Sequence, residues 1–86
     1  MIEQTLKDRG RRYGDYMVVS ENSQMLKEIF RASKQWDHLG NFQRESLDMI
    51  ANKLARIMNG DRFYADSWTD IAGYATLVAQ ELKKRD

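Results

Sequence analysis

Apolar residues recur at helical spacing along most of the chain and predict amphipathic helices. The third predicted helix has the clearest pattern, because its apolar positions fall on one face: Leu47, Ile50, Ala51, Leu54, Ile57 and Met58. The fourth carries a similar stripe: Trp68, Ile71, Ala72, Ala75, Val78, Ala79 and Leu82. We expect both stripes to face a shared core.

Capping residues and glycines set the limits of the first two helices. The first is predicted from residue 2 to about residue 12, where Gly14 interrupts it. Ser20 or Asn22 is the expected N-cap of the second. The helical pattern of the second should end near Trp36.

The same signals delimit the last two helices. Asn41 is the expected N-cap of the third, and Gly60, in a left-handed conformation, is expected to end it. The fourth is predicted from Asp66 to about Lys84. Proline is absent and 31% of residues are charged, a composition that favours helix. We therefore predict one all-α domain over residues 1–86, a small bundle of about four helices.

Composition excludes several classes of site. The chain has no cysteine, which rules out disulfides and thiolate zinc sites and favours a reducing compartment. With His38 as the single histidine, a metal site would consist mainly of carboxylates, which favours Mg²⁺ or Mn²⁺ over zinc. No apolar run reaches the length of a membrane span, so we expect no membrane insertion and a cytoplasmic protein. A net charge of +1 does not indicate specific DNA binding.

The side of the fourth helix opposite its apolar stripe has an unusual composition. Asp66, Asp70, Gly73 and Leu77 lie there, whereas a solvent-facing surface normally carries charged or long polar residues. Gly73 and Leu77 suggest that another subunit, another helix or a ligand packs closely against this side. We predict self-association, as a homodimer or a higher oligomer, with these two residues at the interface.

Four acids are candidate metal ligands. Glu45 and Asp48 lie one turn apart on the third helix, and Asp66 and Asp70 one turn apart on the fourth. Together they would hold Mg²⁺ against the phosphates of a nucleotide. Because the two pairs lie at different depths, this is easier between subunits or with the third helix offset. Helix capping is the favoured alternative for Asp66, and for Asp70 both interpretations stay open.

A basic group could receive the phosphates. The candidate phosphate ligands lie on the third helix and near the N-terminus: Lys53, Arg56, Arg9, Arg11 and Arg12. Tyr13, next to Gly14, is a candidate for stacking on a base. The alternatives are a solvated basic surface and a tyrosine that covers the edge of the core.

Three ordered blocks resemble a family of small, uncharacterised phage and prophage proteins: R-R-Y-G-D-Y, E-S-L-D-M-I-A-N-K-L-A-R-I-M-N-G and D-S-W-T-D-I-A-G-Y-A. More remotely, the pattern is similar to phage proteins associated with nucleotide modification and, through them, to the all-helical MazG-like nucleotide pyrophosphohydrolases. The resemblance to the phage family covers nearly the whole chain.

The MazG-like resemblance implies magnesium held by an E-x-x-E motif and a later E-x-x-D motif. Asp70 matches the final acid of the second motif, whereas Ser67 stands where its first acid belongs and Asp66 comes one position early. Glu45 and Asp48 have the spacing of the first motif. With these departures, a fold kept for binding, with the chemistry lost, fits the motifs at least as well as hydrolysis does.

Two functional hypotheses follow. In the first, the protein binds a nucleotide, either as a degenerate pyrophosphohydrolase or as a sponge that sequesters a nucleotide signal. In the second, it is a phage accessory protein that counters host defence by binding a host protein directly. The first needs the basic and acidic residues, and the second needs the surface around Gly73 and Leu77.

Overall fold

The structure is a computed structural model that describes residues 1–85. It consists of four α-helices and a short 3-10 helix, Trp36–His38, between the second and third of them; the α-helices are α1 (Ile2–Tyr13), α2 (Tyr16–Ala32), α3 (Asn41–Asn59) and α4 (Asp66–Lys83). The prediction of an all-α fold with about four helices is confirmed. No helix in this part of the chain combines the length and hydropathy needed to span a bilayer.

Helix α2 begins earlier than the sequence predicts. It starts at Tyr16, so the prediction of an N-cap at Ser20 or Asn22 is wrong. Asp15 is the N-cap, and its carboxylate accepts a hydrogen bond from the Met17 backbone N–H at 2.9 Å. This cap lets the apolar segment after it join the helix, although β-branched residues lower its intrinsic helix propensity.

The segment between α2 and α3 also differs from expectation. Helix α2 ends at Ala32, before Trp36, which belongs to the 3-10 helix. Gly40 occupies the N-cap position of α3 and Asn41 is already helical, so the predicted Asn41 cap is wrong. The Gly40 N–H instead donates to the Gln43 side chain at 2.8 Å, which satisfies one of the donors that a helix start leaves open.

Helix α3 lies at the centre of the fold. It packs against α2 on one side and α4 on another, and α1 contacts it as well, whereas α2 and α4 have no extensive contact within residues 1–85. The helices therefore form a small open bundle in which α2, α3 and α4 lie side by side as one layer, α2–α3–α4. The hydrophobic side chains that are fully buried in this part of the chain are small, namely Val19, Ala51 and Ala55.

The predicted core stripe of α4 is only partly buried. Ser67 is buried and Ile71, Tyr74 and Val78 are half-buried, so the contact with α3 follows this row of residues. Much of the predicted stripe is exposed, with Trp68 57% exposed, and Met58 of the α3 stripe is 78% exposed. The stripe of α4 therefore meets the core only in part, because α3 is its one extensively packed helical neighbour within residues 1–85 and two packed helices share only a narrow seam.

Two glycines bring the α1–α2 turn and the α3–α4 loop together. Gly14 has a φ of 94°, and a Cβ there would collide with the backbone of Asn59. Gly60 ends α3 as predicted, but its φ is −115°, so the predicted left-handed conformation is wrong. It is constrained by close approach, because a Cβ would meet the Arg12 carbonyl. Next to it, the Asp61 N–H donates to that same carbonyl at 3.0 Å.

Candidate functional site

A cluster of arginines and tyrosines forms where this backbone contact joins α1 to the end of α3. We name it the tyrosine–arginine cluster; its members are Arg9, Arg12, Tyr13, Arg56 and Tyr64. The Arg56 guanidinium carbon lies 4.5 Å from the centre of the Tyr13 ring, and that of Arg9 lies 5.6 Å from it. These cation–π contacts hold two positive charges beside one aromatic ring.

The second tyrosine of the cluster extends it toward α4. The rings of Tyr13 and Tyr64 lie 5.7 Å apart, and the Arg12 guanidinium lies 5.1 Å from the Tyr64 ring. Arg12 also donates a hydrogen bond to the Tyr64 hydroxyl oxygen at 3.3 Å, and that hydroxyl donates to Asp66 at 2.8 Å. The contacts with Tyr64 orient Arg12, and the hydrogen bond from the Tyr64 hydroxyl engages the Asp66 carboxylate.

A cavity of about 460 Å³ opens beside the cluster, between α1, the start of α2 and α3. Leu6 and Val19 supply apolar wall, and Arg9, Tyr13 and Arg56 line it together with the following residues: Gly10, Gly14, Asp15, Tyr16 and Asn52. The single acid among the lining residues, Asp15, is engaged as the cap of α2. No carboxylate within residues 1–85 forms an ion pair with Arg9 or Arg56. The cavity therefore offers positive charge beside apolar and aromatic surface.

Some of the predicted phosphate ligands lie at or next to the cavity, and Lys53 does not. Arg56 and Tyr13 meet at the cavity, and Arg12 lies next to them on Tyr64. Lys53 instead faces α4, where its Nζ forms an ion pair with Asp70 at 3.3 Å. Tyr64 is not predicted from the sequence, because it lies far from Tyr13 along the chain and no spacing rule connects the two.

The four predicted metal ligands lie apart. Asp70 is paired with Lys53, and Asp66 accepts from Tyr64. Asp48 is paired with Arg31 at 3.3 Å, while Glu45 lies on another side of α3, beside a groove shared with α4. Among residues 1–85, no three histidine or acidic side chains converge into a group that could hold a metal ion.

Asp48 carries the one buried side-chain nitrogen or oxygen atom among the described residues that lacks a hydrogen-bond partner. Its Oδ2 accepts from Arg31, and its buried Oδ1 has no hydrogen-bond partner. Mg²⁺ uses about six oxygen ligands in an octahedron, several of them water, and usually one or two carboxylates plus phosphate oxygens. One orphan oxygen beside an arginine does not fit that requirement, so the magnesium site stays a prediction of the sequence.

Of the predicted interface residues, Gly73 lies in open surroundings and Leu77 lines the groove between α3 and α4 that Glu45 also lines. A Cβ added at Gly73 would have no atom within 4 Å, and the Leu77 side chain is 62% exposed. The prediction of an interface at Gly73 and Leu77 stays open.

Asp66 is the first residue of α4 and Ala65 occupies the N-cap position, so the favoured assignment of Asp66 as the cap is wrong.

We expect Asp66→Asn to lower the pKa of Tyr64. The hydrogen bond that Tyr64 donates to Asp66, helped by partial burial, raises the Tyr64 pKa above its ordinary value of 10.0. The stabilisation from this bond is therefore present at neutral pH and is lost as the pH rises through the raised pKa. Tyrosinate absorbance measured against pH, with Tyr64→Phe identifying the transition, checks this. Identical Tyr64 transitions with and without the substitution would contradict it.

Comparison with protein-family models, with curated proteins and with solved structures gives no match to this chain.

Proposed function

We propose that the protein binds a nucleotide at the cavity beside the tyrosine–arginine cluster. The observation that carries this proposal is the placement of Arg9 and Arg56 at a cavity of about 460 Å³ without carboxylate partners among the described residues. Guanidinium groups bind phosphate oxygens through two parallel hydrogen bonds. A volume of this size suits a ligand the size of a mononucleotide.

Aromatic and apolar surface at the cavity supports a base-bearing ligand over free phosphate. The guanidinium of Arg56 already lies over the Tyr13 ring, so in the proposal Tyr13 holds the arginines in place. Tyr16 also lines the cavity and is 77% exposed, which leaves its ring open for stacking on a base. Leu6 and Val19 would contact the remaining edge of the base or the sugar.

The proposal is binding without hydrolysis. Phosphate hydrolysis of the MazG-like kind uses carboxylates that hold a cation against the phosphates. Here Asp70 is paired with Lys53 and Asp48 with Arg31, and neither acid lines the cavity. In this proposal the cavity binds its ligand and releases it unchanged, as in a sponge that sequesters a nucleotide signal.

Arg56→Gln is expected to weaken nucleotide binding by about tenfold or more, since a lost charge-assisted hydrogen bond costs about 1.5–3 kcal/mol. Isothermal titration with nucleoside mono-, di- and triphosphates and cyclic nucleotides measures the affinity. Arg62→Gln is the matched control, because Arg62 is exposed and contacts Phe63 outside the cavity. Nucleotide recovered intact after denaturation distinguishes a sponge from an enzyme. Failure of every nucleotide to bind, with and without magnesium, would refute the proposal.

The alternative of an accessory protein that inhibits a host protein stays a prediction of the sequence. Its expected docking residues, Gly73 and Leu77, lie on α4, whereas the cavity is lined by α1, α2 and α3. Substitutions at the two places therefore test the two functions separately.

A further inference from the structure

One side of the α2–α3–α4 layer is apolar and is covered by no other element of residues 1–85. Leu47, Ile50, Leu54 and Met58 are spaced three or four apart and share one face of α3. Asn52 and Arg56, which line the cavity next to α1, lie on the opposite face of α3. Helix α1 therefore packs on one side of the layer, and the other side is open.

Two grooves cross this open face, one on each side of α3. The groove with α2 has a volume of about 420 Å³, and the groove with α4 about 320 Å³. The residues that line them are mostly apolar: Asn22, Met25, Leu26, Ile29, Leu54, Ala55 and Met58 in the first, and Leu39, Gln43, Ser46, Leu47, Ile50, Ala75, Val78, Ala79 and Leu82 in the second. None of these side chains is charged. We call this surface the open face.

The dimensions of the chain show how much surface the open layer leaves uncovered. Its radius of gyration is 14.7 Å, against about 12 Å for a compact domain of this length. It exposes 6569 Å², whereas a compact protein of 10.1 kDa exposes about 5,300 Å². The excess of roughly 1,300 Å² is larger than the ~800 Å² that each partner contributes to a standard protein–protein interface.

We propose that a second copy of the chain covers the open face, so that two layers pack face to face as a homodimer. The interface would centre on the apolar face of α3, with Met25 and Ile29 of α2 and the exposed alanines of α4 around it. The self-association predicted from the sequence is thus assigned to a different side of α4, away from Gly73 and Leu77.

The chemistry of the open face favours a second copy over a different protein. A two-fold interface brings each patch against itself, so a charged patch would repel its own copy. The residues that line both grooves are uncharged, and the net charge of the whole chain is only +1. The hydrophobic side chains that are fully buried within residues 1–85 are Val19, Ala51 and Ala55. So small a core gives a single chain little stability, and binding of a partner to the folded state adds to it. A second copy is a partner that is present wherever the chain itself is present.

Sedimentation equilibrium of the full chain tests this proposal together with a thermal melt. We expect twice the chain mass at micromolar concentration and a melting temperature that rises with protein concentration, because dimerisation stabilises the folded state by mass action. Met58→Asp and, separately, Ala79→Glu should halve the measured mass, since each places a charge against its own copy. Both native side chains are exposed in the single chain, so the helices should persist in circular dichroism.

Leu77→Asp is the matched control. Leu77 is 62% exposed and Met58 78% exposed, but Leu77 lies outside both grooves of the open face. The proposal predicts that Leu77→Asp keeps the dimer mass. A wild-type monomer whose melting temperature does not depend on concentration would overturn it. A dimer that Leu77→Asp dissociates, and that Met58→Asp and Ala79→Glu leave intact, would also overturn it in favour of the Gly73 and Leu77 side.

Discussion

Replacing Gly14 by alanine is expected to lower the free energy of unfolding by about 2–4 kcal/mol. Two effects add at this position. The φ of 94° strains any residue that carries a Cβ, and the new methyl group would collide with the backbone of Asn59. Backbone cannot rotate away as a side chain can, so the α1–α2 turn must separate from the α3–α4 loop. Urea unfolding followed by circular dichroism measures the change.

Gly10→Ala provides the control for this prediction. Gly10 lies inside α1, and a Cβ there would have no atom within 4 Å. Alanine should stabilise the protein by about 0.5–1 kcal/mol, since it restricts the unfolded chain and favours helix. Equal effects at Gly10 and Gly14 would show that the contact with Asn59 is not tight, and the position of the tyrosine–arginine cluster would then need another explanation.

Periodicity in the sequence predicts the helices well, because each pattern depends on residues within the same segment. The apolar stripes of α3 and α4 are present where expected. Periodicity does not report whether the same chain supplies a cover for a stripe. On α4 the row that meets α3 passes through Ser67 and Tyr74, and Ala75 and Ala79 remain exposed. That outcome depends on how many helices surround α4, which one segment cannot reveal.

The tyrosine–arginine cluster could be predicted only in part. Four of its five members, all except Tyr64, are candidates from the sequence, because cations beside an aromatic residue suit a nucleotide. Their assembly depends on two glycines, Gly14 and Gly60, each of which lets one backbone approach the other. Each glycine was identified as a helix terminator, yet neither sequence context shows that the two turns meet.

The acidic candidates fail to converge for a related reason. Spacing along one helix places two acids on the same side, but it does not identify the residue opposite them. Lys53 faces Asp70 across the α3–α4 seam, and Arg31 faces Asp48 across the α2–α3 seam. An acid that already pairs with a cation has the same sequence signature as a metal ligand. Only the packing of neighbouring helices distinguishes them.

Asp70→Asn is expected to lower the free energy of unfolding by about 2 kcal/mol. This value lies between the ~0–1 kcal/mol that a surface ion pair contributes and the ~3–5 kcal/mol lost when one partner of a buried pair is removed. Lys53 is only 11% exposed, whereas Asp70 is 48% exposed. Removing the carboxylate leaves the ammonium group in a poorly hydrated position without its partner, and this sets the size of the loss. Urea unfolding at neutral pH measures it, with Glu45→Gln as the control because Glu45 is exposed and has no ion pair among the described residues.

Adding Lys53→Met to Asp70→Asn should recover most of the lost stability, since it removes the unpaired charge and keeps the apolar stem. The loss in the single variant should be the same in magnesium and in chelator. If Asp70 were instead a metal ligand, magnesium would stabilise the wild type, Asp70→Asn would lose only that gain, and Lys53→Met would restore nothing. The double variant and the chelator thus separate an ion pair that joins α3 to α4 from the magnesium site that the sequence predicts.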